Sequence, residues 1–243
     1  MTNYNFKPGW RASLGFLALI VLFVNLGVWQ LHRAQEKEAL MAARYERGRD
    51  EPLRLLGASG GADELRFRRV TVSGRYDGEH QFLVDNQVHD GQPGYLVLTP
   101  LRVAGSGNAI LVNRGWVPLG EDRRRKPEVG LNPADVTIAG TVDYLPRVGF
   151  KLAGAETPGP GWPSLVQVPE AAPLAERLGY PVLPYQVLLD PAAPEGYVRA
   201  WHQVPLDPGK NRGYALQWFL FATVAAVLFV RHGLKAGARP TRH

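Results

Sequence analysis

The sequence predicts a membrane protein in which two transmembrane α-helices flank a mainly β (α+β) extracytoplasmic domain. Three observations point there. First, two uncharged apolar runs lie near the ends, ASLGFLALIVLFVNLGVWQL over 12–31 and YALQWFLFATVAAVLFV over 214–230. Second, at about 1.5 Å per residue each run approaches the ~30 Å hydrocarbon core of a bilayer. Third, the section between them alternates apolar and polar residues with period two and is punctuated by Gly and Pro, the pattern of strands and turns.

Each element follows in order. Residues 1–11 form a short tail. The 12–31 run is longer than the apolar core of a cleaved signal peptide and ends in Trp-Gln-Leu-His-Arg instead of a small-x-small site, so it reads as an anchor. Residues 32–56 form a stalk, helical over HRAQEKEALMAARYERGRD, where no Gly interrupts until Gly48. The β domain occupies 57–213. It opens with a loop over 57–64. A strand over 67–76 closes on Asp77-Gly78, a hairpin signal, with 81–87 as the return strand. Strands 94–103 and 109–118 pair across the turn Gly-Ser-Gly-Asn at 105–108. A charged loop over 121–133, a strand over 136–144, an irregular Gly/Pro-rich stretch over 153–163, a helix over 169–178 and a strand over 185–189 complete it. The second span is 214–230 and the last tail 231–243.

Two spans place both termini on one side. Lys7, Arg11, Arg231, Lys235, Arg239 and Arg242 in the tails favour the cytoplasmic side by the positive-inside rule. Arg33, Lys37, Arg44 and Arg47 crowd the opposite end of the first span, but long loops translocate largely regardless of charge. The net charge of +6 comes without a nucleic-acid recognition motif, and a doubly anchored chain meets anionic lipid first. Nucleic acid is therefore not expected as a partner. With no cysteine there is neither a disulfide nor a thiolate metal site, and Met1 and Met41 alone offer soft sulfur for copper(I).

Catalytic chemistry finds little support. Ser73, His80 and Asp85 are the one triad that can be imagined, and no nucleophile elbow, P-loop, dinucleotide fingerprint or His-Glu-x-x-His helix accompanies them. His80, His89 and His202 match no compact metal-ligand spacing. The chain is expected not to be an enzyme. A membrane-tethered hydrolase is the rival from another class.

The membrane boundary says more. Tyr214, Gln217, Trp218 and Phe221 share one face of the second span by helical spacing, and Trp29, Arg33, Lys37 and Leu40 share one face of the first helix. An aromatic belt with flanking cations accounts for Trp29, Tyr214, Trp218, Arg33 and Arg212. It leaves Gln217 and Gln30 unexplained, because an amide against lipid costs free energy. Gln217 is thus expected to face a helix partner.

Four stretches, LGVWQLHRAQEK (26–37), GYLVLTPL (94–101), ILVNRGWVP (110–118) and GYALQWFLFA (213–222), resemble the recurring signatures of the Surfeit locus protein 1 family. Members of that family assist assembly of haem-copper cytochrome c oxidase. The resemblance implies two anchoring helices, a periplasmic or intermembrane-space domain, a role in maturing oxidase subunit I and, in bacterial members, haem a delivery. It implies a bacterial inner-membrane location here, with haem a synthase as a further contact. By position in the motifs it assigns partner binding to Trp29, Gln30, Arg33, Lys37, Asn113, Trp116, Tyr214, Gln217 and Trp218. One departure stands out. The family pattern places a histidine, the favoured haem ligand, three residues before the tyrosine, where this chain has Asn211. An amide is a poor axial ligand for iron. His202 and His32 are the substitute ligands, and Arg33, Arg114 and Arg212 the cations suited to haem propionates. The alternative is a scaffold for subunit I that binds no haem.

Overall fold

The computed structural model describes residues 6–57, 60–120, 122–123, 125–131, 134–147, 153–201 and 206–237. It divides into two units, one made of 1–42 with 204–243 and the other of 43–203.

The first unit is a pair of helices. Helix α1 runs unbroken over Trp10–Arg49, through the predicted span and most of the predicted stalk. Its last turn belongs to the second unit, where Arg47 donates to the carbonyls of Asp63 and Arg66 at 2.9 and 3.1 Å. The second unit is built on eight strands: β1 (Leu53–Leu55), β2 (Arg69–Tyr76), β3 (Phe82–His89), β4 (Gln92–Val103), β5 (Ala109–Pro118), β6 (Asp135–Asp143), β7 (Ser164–Val166) and β8 (Val182–Leu189). Two short helices, α2 (Ala62–Leu65) and α3 (Ala171–Leu178), join them. Helix α4, Pro208–Gly237, completes the helix pair. Asp207 accepts from the Lys210 amide at 3.1 Å and Pro208 opens the helix, an N-terminus the sequence chemistry favours.

The strands run in the order β1-β2-β6-β8-β5-β4-β3-β7, and a further β2–β4 pairing closes β2, β6, β8, β5 and β4 into a small barrel. Long β4 makes closure feasible. Its first half pairs with β3 and its end turns to pair with β2, Tyr76 opposite Leu101. Inside lie Val70, Val72, Leu101, Val103, Ile110, Val112, Val142, Tyr185, Val187 and Leu189. A second cluster packs Leu174 of α3 against Phe82, Val84, Leu98 and Leu111.

The β4–β5 hairpin is as expected. The expected β2–β3 hairpin at Asp77-Gly78 does not form, because both edges of β2 are taken by β6 and by β1 with β4. The Asp77 carboxylate instead accepts from the His80 ring at 2.8 Å and from the Tyr180 hydroxyl at 2.7 Å. The stalk helix ends at Arg49, short of 56, and residues 53–55 pair in parallel with β2. The sequence-predicted loop at 57–64 runs into α2, and part of the charged loop over 121–133 lies outside the described residues.

The barrel also makes the fold sensitive to alkali. Burial pushes the Tyr76 phenol up to about 12, with Arg114 opposing and Glu195 adding to the shift. Burial and the bond to Asp77 raise Tyr180 as well. The unfolded phenol ionises near pH 10, so the unfolded chain loses its proton first. Stability from Tyr76 is therefore complete below pH 10 and falls as pH rises toward 12, by roughly 2–3 kcal/mol in all. Urea midpoints measured between pH 8 and 11.5 are expected to drop above 10, and Tyr76→Phe is expected to flatten the drop.

Candidate functional site

The motif residues fall into two groups. The first is Asn113-Arg114-Gly115-Trp116 on β5, and it is interior. Arg114 is 2% exposed. Its Nε donates to the Glu195 carbonyl at 2.7 Å, and its Nη1 to Gln81 Oε1 at 3.0 Å and the Val129 carbonyl at 3.1 Å. Gln81, itself buried, donates to the carbonyls of Gly78 and Val129 and accepts from the Thr99 hydroxyl at 2.7 Å. The guanidinium lies 4.9 Å from the Tyr197 ring centre. Asn113 donates to Gln186 at 3.0 Å and accepts from the Gly115 amide at 3.1 Å. Gly115 has φ +115°, and a Cβ there would stand 2.7 Å from the Val198 carbonyl, so only glycine fits. Trp116 donates to the Gln87 carbonyl at 3.1 Å and covers Gly94. Asn113 and Trp116, expected to touch a partner, and Arg114, expected to meet a propionate, are instead committed to the interior of the β unit.

The second group is in the helix pair. Asn211 on α4 donates to Gln30 Oε1 at 2.6 Å and accepts from Lys37 Nζ at 2.7 Å. Lys37 also reaches the Asp207 carbonyl at 3.4 Å, and Arg212 pairs with Glu38 at 2.6 Å. These contacts zip one end of the pair. Below them the seam turns apolar: Ala34 and Ala215 are 1% exposed, Gly27 receives the Phe219 ring, Phe23 meets Trp218 and Phe221, and Phe16 stacks on Phe229 at 4.2 Å. Partners climb one helix as they descend the other, an antiparallel register held over the full span.

Gln30 and Lys37 therefore take part in the clamp, and Arg33 pairs with Glu36 at 2.6 Å on the outer side. Trp29 and Tyr214 are exposed, and Trp218 is half-buried against Phe23. Gln217 is exposed too, so α1 is not the helix partner expected for its amide. The amides between the helices are Gln30 and Asn211. The imagined triad does not assemble: Ser73 bonds Thr137, His80 bonds Asp77, and Asp85 pairs with Arg123 at 2.9 Å. No group of three or more metal-ligating side chains forms among the described residues. Reasoning from sequence alone missed Gln81, which braces Arg114, and Gly27, whose heptad spacing to Ala34 was the available signal.

Comparison with known proteins decides the relationship. The model of the SURF1 family matches residues 17–223, from within the first span to within the second. The chain belongs to the SURF1 family. A SURF1-like protein of Monosiga brevicollis is 32% identical over 57% of this chain and 57% of its own length. The cytochrome oxidase assembly protein SHY1 of Saccharomyces cerevisiae is 27% identical over 45% of this chain and 29% of its own. Surfeit locus protein 1 of Takifugu rubripes is 29% identical over 52% of this chain and 60% of its own. The chain thus spans about half the length of the curated relatives it matches.

Within this SURF1 chain a haem ligand at Asn211 does not fit. Its carboxamide oxygen is taken by Lys37 and its amide group by Gln30. Arg33 and Arg212 are each paired with a glutamate, and Arg114 is enclosed in the β unit. His32 is exposed on α1, and His202 lies outside the described residues.

Proposed function

We propose that this protein assists assembly of a haem-copper cytochrome oxidase by holding subunit I during its maturation, without a chemical step of its own. The reading rests on SURF1 family membership together with the polar clamp Gln30–Asn211–Lys37, which makes the helix pair a fixed platform. On that platform the Tyr214, Gln217, Phe221 stripe of α4 is exposed and suits the apolar helices of a membrane subunit, with Gln217 as a hydrogen-bonding contact. The proposed setting is a bacterial inner membrane with both termini cytoplasmic and the β unit periplasmic. Haem a transfer, with haem a synthase as the donor, is the second reading. Exposed His32 favours it as the one described histidine on the helix pair's outer end.

One experiment separates them. The full chain, purified in detergent after co-expression with the haem a synthesis machinery, is tested by reduced-minus-oxidised absorption. The expected result is no stoichiometric haem a signal, from a protein that restores oxidase in a deletion strain. A stoichiometric signal removed by His32→Ala would establish the second reading. Failure to restore oxidase would sink both. Asn211→Leu, which leaves Lys37 and Gln30 without their partner, is expected to lower oxidase restoration at least several-fold while the β unit stays folded.

A further inference from the structure

We propose that α1 carries, on the side opposite α4, a self-association seam through which two copies of this chain pair in parallel. The seam is centred on Asn25. This residue is exposed on the helix pair, and its Nδ2 turns back to the Val21 carbonyl at 2.7 Å. The other amide hydrogen and the lone pairs of Oδ1 are left to be satisfied.

Depth makes that a demand. Asn25 lies eight residues from Arg33 and fourteen from Arg11, roughly 12 and 21 Å along the axis at 1.5 Å per residue. A side chain this short cannot reach water from there, and an amide with unmade hydrogen bonds in hydrocarbon is costly. Gln217 is a different case. It lies five residues from Arg212, about 7.5 Å, and its longer side chain can reach the interface.

The surrounding pattern identifies the occupant. Gly15, Ala18, Leu22, Asn25, Trp29 and His32 recur at alternating spacings of three and four, and all are exposed. That is the 3.5-residue repeat of a helix–helix seam, with small residues at one end and a single asparagine in the middle. The α4-facing residues Phe16, Phe23, Gly27, Gln30 and Ala34 form a second such repeat about 140° around the helix, already filled. Copies inserted with one topology run parallel and place residue 25 at one depth. Asparagine is both donor and acceptor, so Asn25 meets its own image across a two-fold axis and both amides are satisfied. An unrelated helix would need a polar group at the same height.

The test uses the absence of cysteine in the chain. Single-cysteine variants of the full protein are reconstituted in phosphatidylcholine liposomes at low protein density and oxidised with copper phenanthroline. Leu22→Cys and Trp29→Cys are expected to give covalent dimer, and the exposed off-seam positions Leu19→Cys and Val24→Cys little. Asn25→Leu is expected to weaken association by about threefold to thirtyfold in fluorescence energy transfer, and Asn25→Gln to retain most of it. Equal cross-linking from all four positions, monomer throughout, or no change in Asn25→Leu would overturn the proposal. So would seam cross-links that form only to a co-reconstituted oxidase subunit.

Discussion

Arg114→Met is expected to destabilise the β unit by about 2–4 kcal/mol without touching the membrane helices. Methionine keeps much of the volume, so the cost lies in the hydrogen bonds. Gln81 Oε1 would keep Thr99, and the Val129 carbonyl would keep Gln81, since each accepts two donors. The Glu195 carbonyl would lose its Arg114 donor, one of the bonds that hold the 195–198 segment to β5 beside the backbone pairing of Trp116 with Val198. Hydrogen bonds from a charged group contribute about 1.5–3 kcal/mol each, and the desolvation penalty that a buried guanidinium carries offsets part of the three lost here. Arg114→Lys keeps the charge but not the fork that serves three acceptors, and is expected to recover only part. Arg212→Ala, which removes an ion pair on the exposed edge of the helix pair, is expected to cost under about 1 kcal/mol. Urea unfolding followed by near-ultraviolet circular dichroism checks all three. If Arg114→Met unfolds at the parental urea midpoint, Arg114 does not brace the β unit, and its donors would be available to a ligand.

This expectation bears on what the sequence could and could not reveal. The spans were legible because uncharged runs of that length have few other uses, and the β4–β5 hairpin because its turn residues and flanking alternation agree. Asp77-Gly78 misled because turn chemistry is local while strand pairing is decided by the whole barrel. The Asn113–Trp116 block was recognised as a motif, yet a motif does not say which way its side chains face. On a strand buried on both sides, even an arginine turns inward when three acceptors await it. The place of Asn211 between the two helices was hidden for a related reason. Periodicity groups residues by face but does not say which face meets the neighbour; here the neighbour lies on the Gly27 side, where the Phe219 ring approaches the backbone.

Gly27→Leu is accordingly expected to have the largest effect on the helix pair. A Cβ at position 27 would stand 2.5 Å from Phe219 Cε1 and 2.7 Å from Cζ, before the rest of the leucine is added. The ring has little room to yield, with Trp218 on its own helix already packed on Phe23. Overpacking of this kind costs about 1–3 kcal/mol where neighbours can shift, and in a two-helix contact the available shift is separation. Separation would draw Asn211 from Gln30 and Lys37, so the clamp and the seam fail together. Two cysteines placed at Phe16 and Phe229, whose rings stack at 4.2 Å, report on the seam in this otherwise cysteine-free chain. Their disulfide yield is expected to fall several-fold with Gly27→Leu, along with oxidase restoration. Adding Phe219→Ala returns the lost space and should restore both. If the yield recovers but oxidase restoration does not, Phe219 has a role in the partner complex beyond filling the space at Gly27. If neither changes in Gly27→Leu, the register of the pair is wrong at its centre, and the Gln30–Asn211–Lys37 clamp would have to be rebuilt from a different alignment of the two helices.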